Sequence, residues 1–365
     1  MRILMYTPRF FPDPLAGGRS ASVRNLALGL IEKGIEVDLV SYWKNGPSEY
    51  AINRLRVRRI FPLTDNRPLD YLLSLFREKK AEKLLKSIIK NYDILHVHGP
   101  TYGFRFPPKL NWYRYKGWKT VKDRIPIVYQ FRGSLGEELR RYLKGYDTFL
   151  ANALDDVEAA DYVVTLTHGT AVTLKSINPE LKVEVIYNFI SEIFLRNYEK
   201  LDEYPEQFTV LYTGGKQMHK GYYIVLKIRK IIEKIDPTIR FKMIGTGLRK
   251  IPYEHMPRMY LSSSVLLFPS IYWEGLPPAV LEALAMKRPA VASAIGGVPE
   301  IITHGKNGFL VKPGDVDKIV EYILYLKDNP SVLRKMGEEG RRTIIEKFSK
   351  EAVLTRFINL YRSLL

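Results

Sequence analysis

The chain has 365 residues, of which 46% are hydrophobic and 26% are charged. This composition excludes intrinsic disorder, and the length predicts two domains, because single hydrophobic cores stop growing near about 250 to 300 residues. The absence of cysteine excludes disulfide bonds, thiolate metal sites and cysteine nucleophiles. The sequence shows neither a secretory signal nor the run of about 20 apolar residues that a membrane-spanning helix needs. We therefore expect a cytoplasmic protein.

Positive charge is concentrated in the first part of the chain. The formal net charge is +18. Residues 1–150 contain 28 Lys and Arg against 14 Asp and Glu, whereas residues 151–365 contain 29 against 25. Such an excess suits nucleic acid, an anionic membrane or a polyanionic substrate, and also an ordinary soluble surface.

Short apolar strands alternate with helical segments through the first half of the chain. After the first strand and a loop rich in Pro and Gly, apolar residues recur at the 3.6-residue period of a core-facing helix, which Gly34 closes. A strand follows directly, so the segment is a βαβ unit. The short, Val-, Ile- and Leu-rich runs are typical of parallel strands buried on both faces. The predicted strands are Arg2–Tyr6, Ile35–Ser41, Ile94–Val97, Ile127–Gln130, Tyr162–Leu166 and Val183–Ile186.

The alternation restarts after a polar connector, Ser191–Gln207. We predict strands over Phe208–Tyr212, Arg240–Ile244, Val265–Pro269 and Ala290–Ser293, and helices over Tyr222–Ile235, Ala279–Met286, Ile319–Leu326, Ser331–Ile345 and a final periodic segment from Val353 to Tyr361. The pattern predicts an α/β protein with two Rossmann-like, doubly wound domains, 1–188 and 189–345, and a C-terminal helix at 346–365 that packs back toward the first domain. In such folds ligands bind at the carboxyl ends of the strands, and here in the cleft between the domains.

Two glycine-containing loops that precede predicted helices are candidate phosphate sites. Gly17 and Gly18 end the loop after the first strand, where free N–H groups at a helix N-terminus can bind an anionic oxygen. A turn is the alternative, since the spacing is not the G-x-G-x-x-G of dinucleotide-binding proteins. In the second half, the segment GGKQMHKG places Lys216 and Lys220 beside another helix N-terminus. Two ammonium groups there would stabilise a departing diphosphate, unless they are solvated loop lysines.

The strongest local pattern is FPSIYWEGLPPAVLEALA. Glu274 lies in a loop after a predicted strand, and Pro277 and Pro278 start a helix at positions that tolerate proline. Glu282 falls about one turn into that helix, so the two carboxylates are placed to bind two sets of sugar hydroxyls. Helix capping or surface exposure is the alternative, while a glycosidase pair would need two acids opposed across one bond.

These motifs resemble those of the retaining glycosyltransferase family 4, which has the GT-B fold. The resemblance runs over almost the whole chain in a specific order. Its pieces are P-x-F-x-P-D-P-L-A-G-G with N-L-A-L-G-L and G-I-E-V-D-L-V (8–40), D-I-L-H-V-H (93–98), A-D-Y-V-V-T-L-T (160–167), V-I-Y-N-F (185–189), K-G (220–221), M-I-G-T-G (243–247), F-P-S-x-x-W-E-G-L-P-P-A-V-L-E-A-L-A (268–285), P-A-V-A-S-A-I-G-G-V-P-E-I-I (289–302) and N-G-F-L-V-K-P-G-D (307–315).

The resemblance implies transfer of a sugar from a nucleotide sugar of UDP or GDP type to a glycan or lipid-linked acceptor, with retention of the anomeric configuration. The first domain would bind the acceptor and the second the donor. The resemblance implies no cofactor and no metal, because the nucleotide sugar is a co-substrate. The triplet Asp315-Val316-Asp317 is better interpreted as a helix start than as a metal-binding motif. The catalytic residues would be Glu274, Lys220 and Arg132. Donor-binding residues would be Gly17, Gly18, Lys216, Lys220, Gly245, Glu274 at the sugar, Gly275 and Leu276 through backbone N–H groups, and Glu282 at the ribose.

Three departures from the family pattern affect these expectations. Gly215 stands where the family usually has an arginine, with Lys216 one residue later as the substitute. Arg132 replaces a histidine at the end of the strand IVYQF; a guanidinium cannot act as a base but can contact a phosphate or an acidic acceptor. The segment Leu248–Tyr260 is shorter than usual, so the wall around the nucleobase is reduced. His98, at the end of a strand, is a candidate acceptor ligand, and His96 is expected to point elsewhere, into the core.

The basic first domain has the composition of a membrane surface. Aromatic, aliphatic and cationic residues are interleaved over Tyr71–Lys90 and Tyr102–Trp118, which suits an anionic membrane at the inner face and a lipid-linked acceptor. An amphipathic core helix with a solvated basic face is the alternative. Charge and aromatic residues would also suit a nucleic-acid-binding protein, but the sequence contains no nucleic-acid recognition motif. A non-catalytic glycosyltransferase-like subunit, which the departures at Gly215 and Arg132 suggest, stays open.

Overall fold

The structure, a computed structural model, describes residues 1–7, 18–41, 48–59, 79–99, 117–132, 146–272 and 274–365. It divides into two compact units. The first comprises Met1–Ile186 with Leu354–Leu365, and the second comprises Tyr187–Val353. Within the described ranges, no helix is both long and apolar enough to cross a membrane.

The first unit is built on an eight-stranded sheet. Its strands are β1 (Arg2–Thr7), β2 (Glu36–Ser41), β3 (Glu49–Ile52), β4 (Leu55–Arg59), β5 (Ile94–Gly99), β6 (Ile127–Phe131), β7 (Tyr162–Thr165) and β8 (Val183–Val185), and its helices are α1 (Gly18–Glu32), α2 (79–88), α3 (Tyr146–Val157) and α4 (His168–Ile177). The strand order is β3-β4-β2-β1-β5-β6-β7-β8, and every described pair except β3 with β4 is parallel.

All six predicted strands of this unit are present, with ends that differ by one or two residues. They form because β1, β5 and β6 are runs of buried side chains, as strands covered on both faces must be. The hairpin of β3 and β4 was not predicted. Asn53, at φ 54°, supports its two-residue turn, and the pairing aligns Glu49 with Arg58.

The second unit has a five-stranded, wholly parallel sheet. Its strands are β9 (Thr209–Tyr212), β10 (Arg240–Met243), β11 (Val265–Phe268), β12 (Ala290–Ser293) and β13 (Gly308–Val311), and its helices are α5 (Tyr222–Ile235), α6 (Met256–Leu261), α7 (Pro278–Ala285), α8 (Val298–Ile301), α9 (Val316–Asp328) and α10 (Pro330–Phe348), followed by α11 (Lys350–Arg362), which ends in the first unit. The order β10-β9-β11-β12-β13 is that of a doubly wound sheet, which reverses between β9 and β11.

The predicted bounds of helices and strands agree best with the structure in this second unit. Helix Tyr222–Ile235 and strand Ala290–Ser293 have the predicted bounds. Asp315 caps α9, since its side chain accepts a hydrogen bond from the N–H of Lys318 at 3.1 Å, as the prediction of a helix start required. Strand β13 and the short helix α8 were not predicted.

Two buried arginines tie the segment after Tyr187 to this unit. Arg288 is fully buried and donates to the carbonyl oxygens of Leu201 at 3.1 Å, Tyr260 at 3.2 Å and Glu203 at 2.5 Å. Arg341 donates to the carbonyl of Ala285 at 2.6 Å and to that of Leu195 at 2.8 Å. The guanidinium groups thereby donate to backbone carbonyl oxygens of the connecting segment, while that of Tyr260 also accepts from the N–H of Ser263 at 2.9 Å.

Candidate functional site

The second unit places its chemistry at the carboxyl ends of β9 and β11, where the strand order reverses. Loops that leave neighbouring strands in opposite directions at such a point leave a crevice between them, and this is where doubly wound sheets bind ligands. The loop after β9 carries Lys216 and Lys220, and the loop after β11 carries Glu274. Residues 54 positions apart in the sequence therefore meet at one edge of the sheet.

Lys220 and Glu274 form an ion pair at this edge. The Lys220 Nζ atom lies 2.5 Å from Glu274 Oε1. The same oxygen accepts a hydrogen bond at 2.8 Å from the hydroxyl of Ser270, which is itself buried. Lys220 ends the 3-10 turn Met218–Lys220, and α5 begins directly after Gly221. Lys220 therefore stands at the N-terminal end of α5, where the helix dipole is positive.

The backbone of Gly296 and Gly297 packs against the loop that carries Glu274. The N–H of Gly297 donates to the carbonyl oxygens of Glu274 at 3.1 Å and Gly275 at 2.9 Å. Gly296 has φ +55°, and a Cβ atom on it would lie 1.7 Å from the carbonyl oxygen of Glu274. Only glycine fits this contact. The segment after β12 therefore fixes the backbone that carries the acidic side chain.

The backbone around Gly215 explains the missing arginine. Gly215 has φ +65°, and a Cβ atom there would lie 2.4 Å from the carbonyl oxygen of Thr246. The neighbouring N–H of Lys216 donates to that same oxygen at 2.7 Å. This close packing against the predicted Gly245 leaves no room for a side chain at position 215. The exposed Lys216, which runs beside Gly247, is the first cation after β9.

Glu282 is a buried carboxylate, not a surface or capping residue. It retains 5% exposure on α7, and its Oε2 atom accepts a hydrogen bond from the hydroxyl of Tyr260 at 2.8 Å. Burial raises the pKa of Glu282 from 4.5 to about 7, although its interactions with the hydroxyl groups of Tyr260 and Tyr253 act in the opposite direction.

The two tyrosines stay protonated donors. Burial, reinforced by the charge of Glu282, raises the pKa of Tyr253 and of Tyr260 above 10. Both rings contact Phe194 edge to face, with centroid separations of 5.6 Å for Tyr253 and 6.0 Å for Tyr260. Phe194 is completely buried. The tyrosine that donates to the carboxylate, Tyr260, and its neighbour Tyr253 therefore pack on one fixed aromatic ring.

In the first unit, the ends of β5 and β6 bring His98 and Arg132 together. His98 Nδ1 lies 3.1 Å from Gln130 Oε1 and 3.3 Å from Arg132 Nε, and an Nη2 hydrogen of Arg132 bonds Gln130 Oε1 at 2.7 Å. His98 is fully buried and Arg132 partly so. The two residues named separately as candidate acceptor contacts thus lie together, a contact that was not predicted, with Gln130 as a third member.

The expectation that His96 points away from His98 was wrong. Residues two apart in a strand lie on the same face, and the two imidazole rings have centroids 4.1 Å apart. His96 is buried, and its Nδ1 atom is 2.6 Å from the hydroxyl of Tyr361. Burial, with a contribution from the charge of Arg132, lowers the pKa of His96 well below 6.5. The prediction that His96 belongs to the core was correct.

The other predicted site residues are placed as follows. Gly18 is the first residue of α1, whereas Gly17 lies outside the described residues. Gly275 and Leu276 are half-buried in the loop before α7. Of the predicted segment Tyr71–Lys90, residues 71–78 lie outside the described part, and of Tyr102–Trp118 only residues 117 and 118 lie inside it.

The sequence did not point to Ser270, the two tyrosines or the glycine pair as site residues. The available signals were the position of Ser270 at the end of the F-P-S motif and the position of the Gly296-Gly297 pair before a helix. Tyr253 and Tyr260 lie in a segment without strand or helix periodicity, which gave no signal.

Two family models match the chain. The model described as Glycosyltransferase Family 4 covers residues 16–192, and the model described as Glycosyl transferases group 1 covers residues 247–343. They divide the chain much as the structure does, one model for each unit.

Full-length relatives agree with these models. An uncharacterized glycosyltransferase of Methanocaldococcus jannaschii is 25% identical over 403 aligned positions, which cover 99% of this chain and 98% of the relative. N-acetyl-alpha-D-glucosaminyl L-malate synthase of Bacillus anthracis is 25% identical over 389 positions, covering 96% and 95%. Among solved structures, Anabaena HepE in complex with UDP matches with a TM-score of 0.70 and 14% identity, covering 100% of both chains.

Proposed function

Because the chain belongs to the glycosyltransferases of group 1 and family 4, we propose that it is a retaining, metal-independent enzyme that transfers a sugar from a UDP or GDP sugar to a glycan or lipid-linked acceptor. The predicted α/β fold of GT-B type is confirmed by the likeness to solved glycosyltransferases. The observation that carries the proposal is the ion pair of Lys220 with Glu274 at the N-terminus of α5.

The departing diphosphate is the group that needs positive charge. As the bond to the sugar breaks, negative charge develops on the diphosphate oxygens, and preorganised cations stabilise it. Lys220 supplies a point charge beside the N-terminus of α5, and Lys216 supplies a second, exposed ammonium group. These groups support metal independence, because they can provide the charge that a divalent cation provides elsewhere.

Glu274 and Glu282 have environments that suit different hydroxyl groups of the donor. Glu274 is fixed by Lys220 and Ser270 and remains partly accessible, so it can accept hydrogen bonds from the transferred sugar. Glu282 accepts a hydrogen bond from Tyr260 and is proposed to accept hydrogen bonds from the ribose. The relative HepE was solved with UDP, which supports a nucleoside diphosphate as the shared part of the donor.

A donor-hydrolysis assay tests the catalytic proposal. A thermal-shift screen of UDP, GDP and their sugars first identifies the nucleotide that raises the melting temperature. With the matching sugar nucleotide, the wild type is expected to hydrolyse the donor slowly. Glu274→Ala and Lys220→Met should each lose at least about 100-fold of that rate. Lys227→Met, on the exposed side of the same helix, is the matched control and should retain it.

The assay also separates an enzyme from a non-catalytic subunit. A wild type that binds a nucleotide sugar but hydrolyses and transfers nothing would favour the non-catalytic alternative. Loss of hydrolysis in Lys227→Met as large as in Lys220→Met would contradict the assigned role of Lys220. Retention is checked separately by the anomeric configuration of the transferred sugar, which should match that of the donor.

For the acceptor side, we propose contact of the first unit with an anionic membrane. In α2 and the 3-10 turn that follows it, Lys79, Lys83, Lys86 and Lys90 are all exposed, and their spacing of four, three and four residues puts them on one face. Lys86 pairs with Glu82. Each lysine near an anionic bilayer contributes about 1 kcal/mol of binding free energy. Binding through this face would bring the first unit to the membrane, where a lipid-linked acceptor would be located.

Vesicle sedimentation tests this proposal. The protein should sediment with vesicles that contain anionic lipid at low salt and be released at high salt, because screening shortens the range of the attraction. Lys83→Glu with Lys90→Glu should weaken sedimentation, and Lys227→Glu in the second unit should not. Equal sedimentation with neutral and anionic vesicles would contradict the proposal.

A further inference from the structure

The ion pair of Lys220 with Glu274 joins two groups that the donor is proposed to contact separately, one through its diphosphate and one through its sugar. The side chain of Glu274 retains 12% exposure and that of Lys220 retains 28%. Charges attract each other more strongly in such a place than on an open surface, because less water screens them. The cation proposed for the diphosphate therefore already holds a negative group in the free protein.

Both contacts of this carboxylate fall on one of its two oxygen atoms. Glu274 Oε1 lies 2.5 Å from Lys220 Nζ and 2.8 Å from the hydroxyl group of Ser270. Among the residues that the structure describes, none hydrogen-bonds the other oxygen, Oε2. The Ser270 hydroxyl also lies 3.0 Å from the carbonyl oxygen of His219, in the turn that carries Lys220. Oε2 is thus the atom that can accept a hydrogen bond from a sugar hydroxyl group.

A nucleoside diphosphate and its sugar bring different groups to Glu274. The free diphosphate brings an additional negative charge and no hydroxyl group beyond its phosphates, so it competes with the carboxylate for Lys220 and repels it. The nucleotide sugar brings hydroxyl groups that donate to Oε2 and offset this cost. Discrimination between two ligands commonly combines repulsion of one with attraction of the other.

We propose that Glu274, through its ion pair with Lys220, makes the site prefer the nucleotide sugar to the nucleoside diphosphate that remains after transfer. This inference rests on the proposed function, since it takes Lys220 as a ligand of the diphosphate. In the reaction, the bond between the anomeric carbon and the phosphate oxygen breaks and its electron pair stays on that oxygen. The sugar bonds to the acceptor oxygen, whose proton is lost to water. Glu274 then promotes release of the charged product, because it takes back the ammonium group of Lys220.

Calorimetry with two related ligands tests this preference. The probes are UDP or GDP, whichever the wild type binds, and the sugar nucleotide of the same base that gives the largest thermal shift. Glu274→Gln retains the shape of the side chain without its charge, and should bind the free nucleotide at least about threefold more tightly than the wild type. It should bind the sugar nucleotide no more tightly. The ratio of the two dissociation constants should shift toward the free nucleotide by about 10- to 100-fold, the range for a hydrogen bond to a charged group.

Two control proteins separate the ion pair from a general effect of charge. Glu233→Gln removes the same charge from an exposed pair with Arg229 on α5, and should bind both ligands like the wild type. In a protein that already carries Lys220→Met, adding Glu274→Gln should tighten binding of the free nucleotide less than it does in the wild type. The reason is that no ammonium group remains to be released, and the double-mutant cycle measures this difference.

The outcomes distinguish the inference from the proposed function. If Glu274→Gln loses donor hydrolysis but binds the free nucleotide no more tightly than the wild type, the inference is overturned and the proposed function stands. An equal gain with and without Lys220 would also overturn the inference, because the carboxylate would then act by repulsion alone. A wild type that binds no nucleotide would overturn the inference and the proposed function together.

Discussion

The buried Glu282 makes a quantitative prediction about stability and pH. Its pKa is about 7 in the folded protein and 4.5 in the reference state. A tenfold change in proton affinity is worth about 1.4 kcal/mol, so the buried, ionised carboxylate costs about 3 kcal/mol of unfolding free energy once the pH exceeds 7. Below pH 4.5 both states carry the proton and the cost disappears.

The pH window follows from the two pKa values. Between pH 4.5 and pH 7 the unfolded chain has released a proton that the folded chain retains. The folded state then binds more protons, so its stability falls as the pH rises. In Glu282→Gln the side chain at position 282 cannot ionise, so the unfolding free energy of the variant does not fall with pH through this group. Relative to the wild type, the variant should gain about 2.5 kcal/mol between pH 5 and pH 8.5.

Urea denaturation at pH 5 and pH 8.5 measures this difference, because the midpoint multiplied by the slope gives the unfolding free energy. Comparing the change between two pH values removes the constant effect of placing an amide beside Tyr260. Glu346→Gln, an exposed glutamate on α10, is the matched control and should show no such pH dependence. A gap between Glu282→Gln and wild type that stays constant with pH would refute the reasoning.

Three further substitutions test other parts of the structure. Arg288→Met should lower the unfolding free energy by about 1–3 kcal/mol in urea denaturation, because it removes the guanidinium donor from the carbonyl oxygens of Leu201 and Glu203. Gly296→Ala should abolish donor hydrolysis by displacing the Glu274 loop, whereas Gly305→Ala, where a Cβ atom meets nothing within 4 Å, should cost only about 1 kcal/mol of strain. Tyr361→Phe should cost about 1–2 kcal/mol, since it leaves Nδ1 of the buried His96 unpaired.

The fold could be predicted from the sequence wherever burial produces a pattern. Strand Ala290–Ser293 is a continuous buried run and helix Tyr222–Ile235 buries residues at helical spacing, so both were predicted with their observed bounds. The pair β3 and β4 has no such pattern. EYAI contains one charged residue followed by three apolar ones, and LRVRR alternates over only five positions, which is too little to distinguish either from a loop.

The site was predictable only as far as single side chains carry chemistry. Lys220 and Glu274 were found because their residue types suit a phosphate and a sugar, but the sequence could not show that they pair with each other and with Ser270. The role of Gly296 is a backbone contact with Glu274, which appears only once β11 and β12 are neighbours. The wrong orientation of His96 was an error in applying strand periodicity, since the spacing of two residues already determines the face.

The proposed contact of Glu282 with the ribose also predicts that nucleotide binding releases protons. Ribose hydroxyls that donate to the carboxylate favour its ionised form, so nucleotide binding should displace the proton that Glu282 holds at low pH. With a pKa of about 7, about 0.9 proton should be released for each bound UDP or GDP at pH 6, and about 0.1 at pH 8. Calorimetry in two buffers with different ionisation enthalpies counts these protons. Glu282→Gln should lack this contribution, which separates it from protons released by the nucleotide itself. A proton count at pH 6 that is the same in wild type and Glu282→Gln would show that the carboxylate does not receive the ribose.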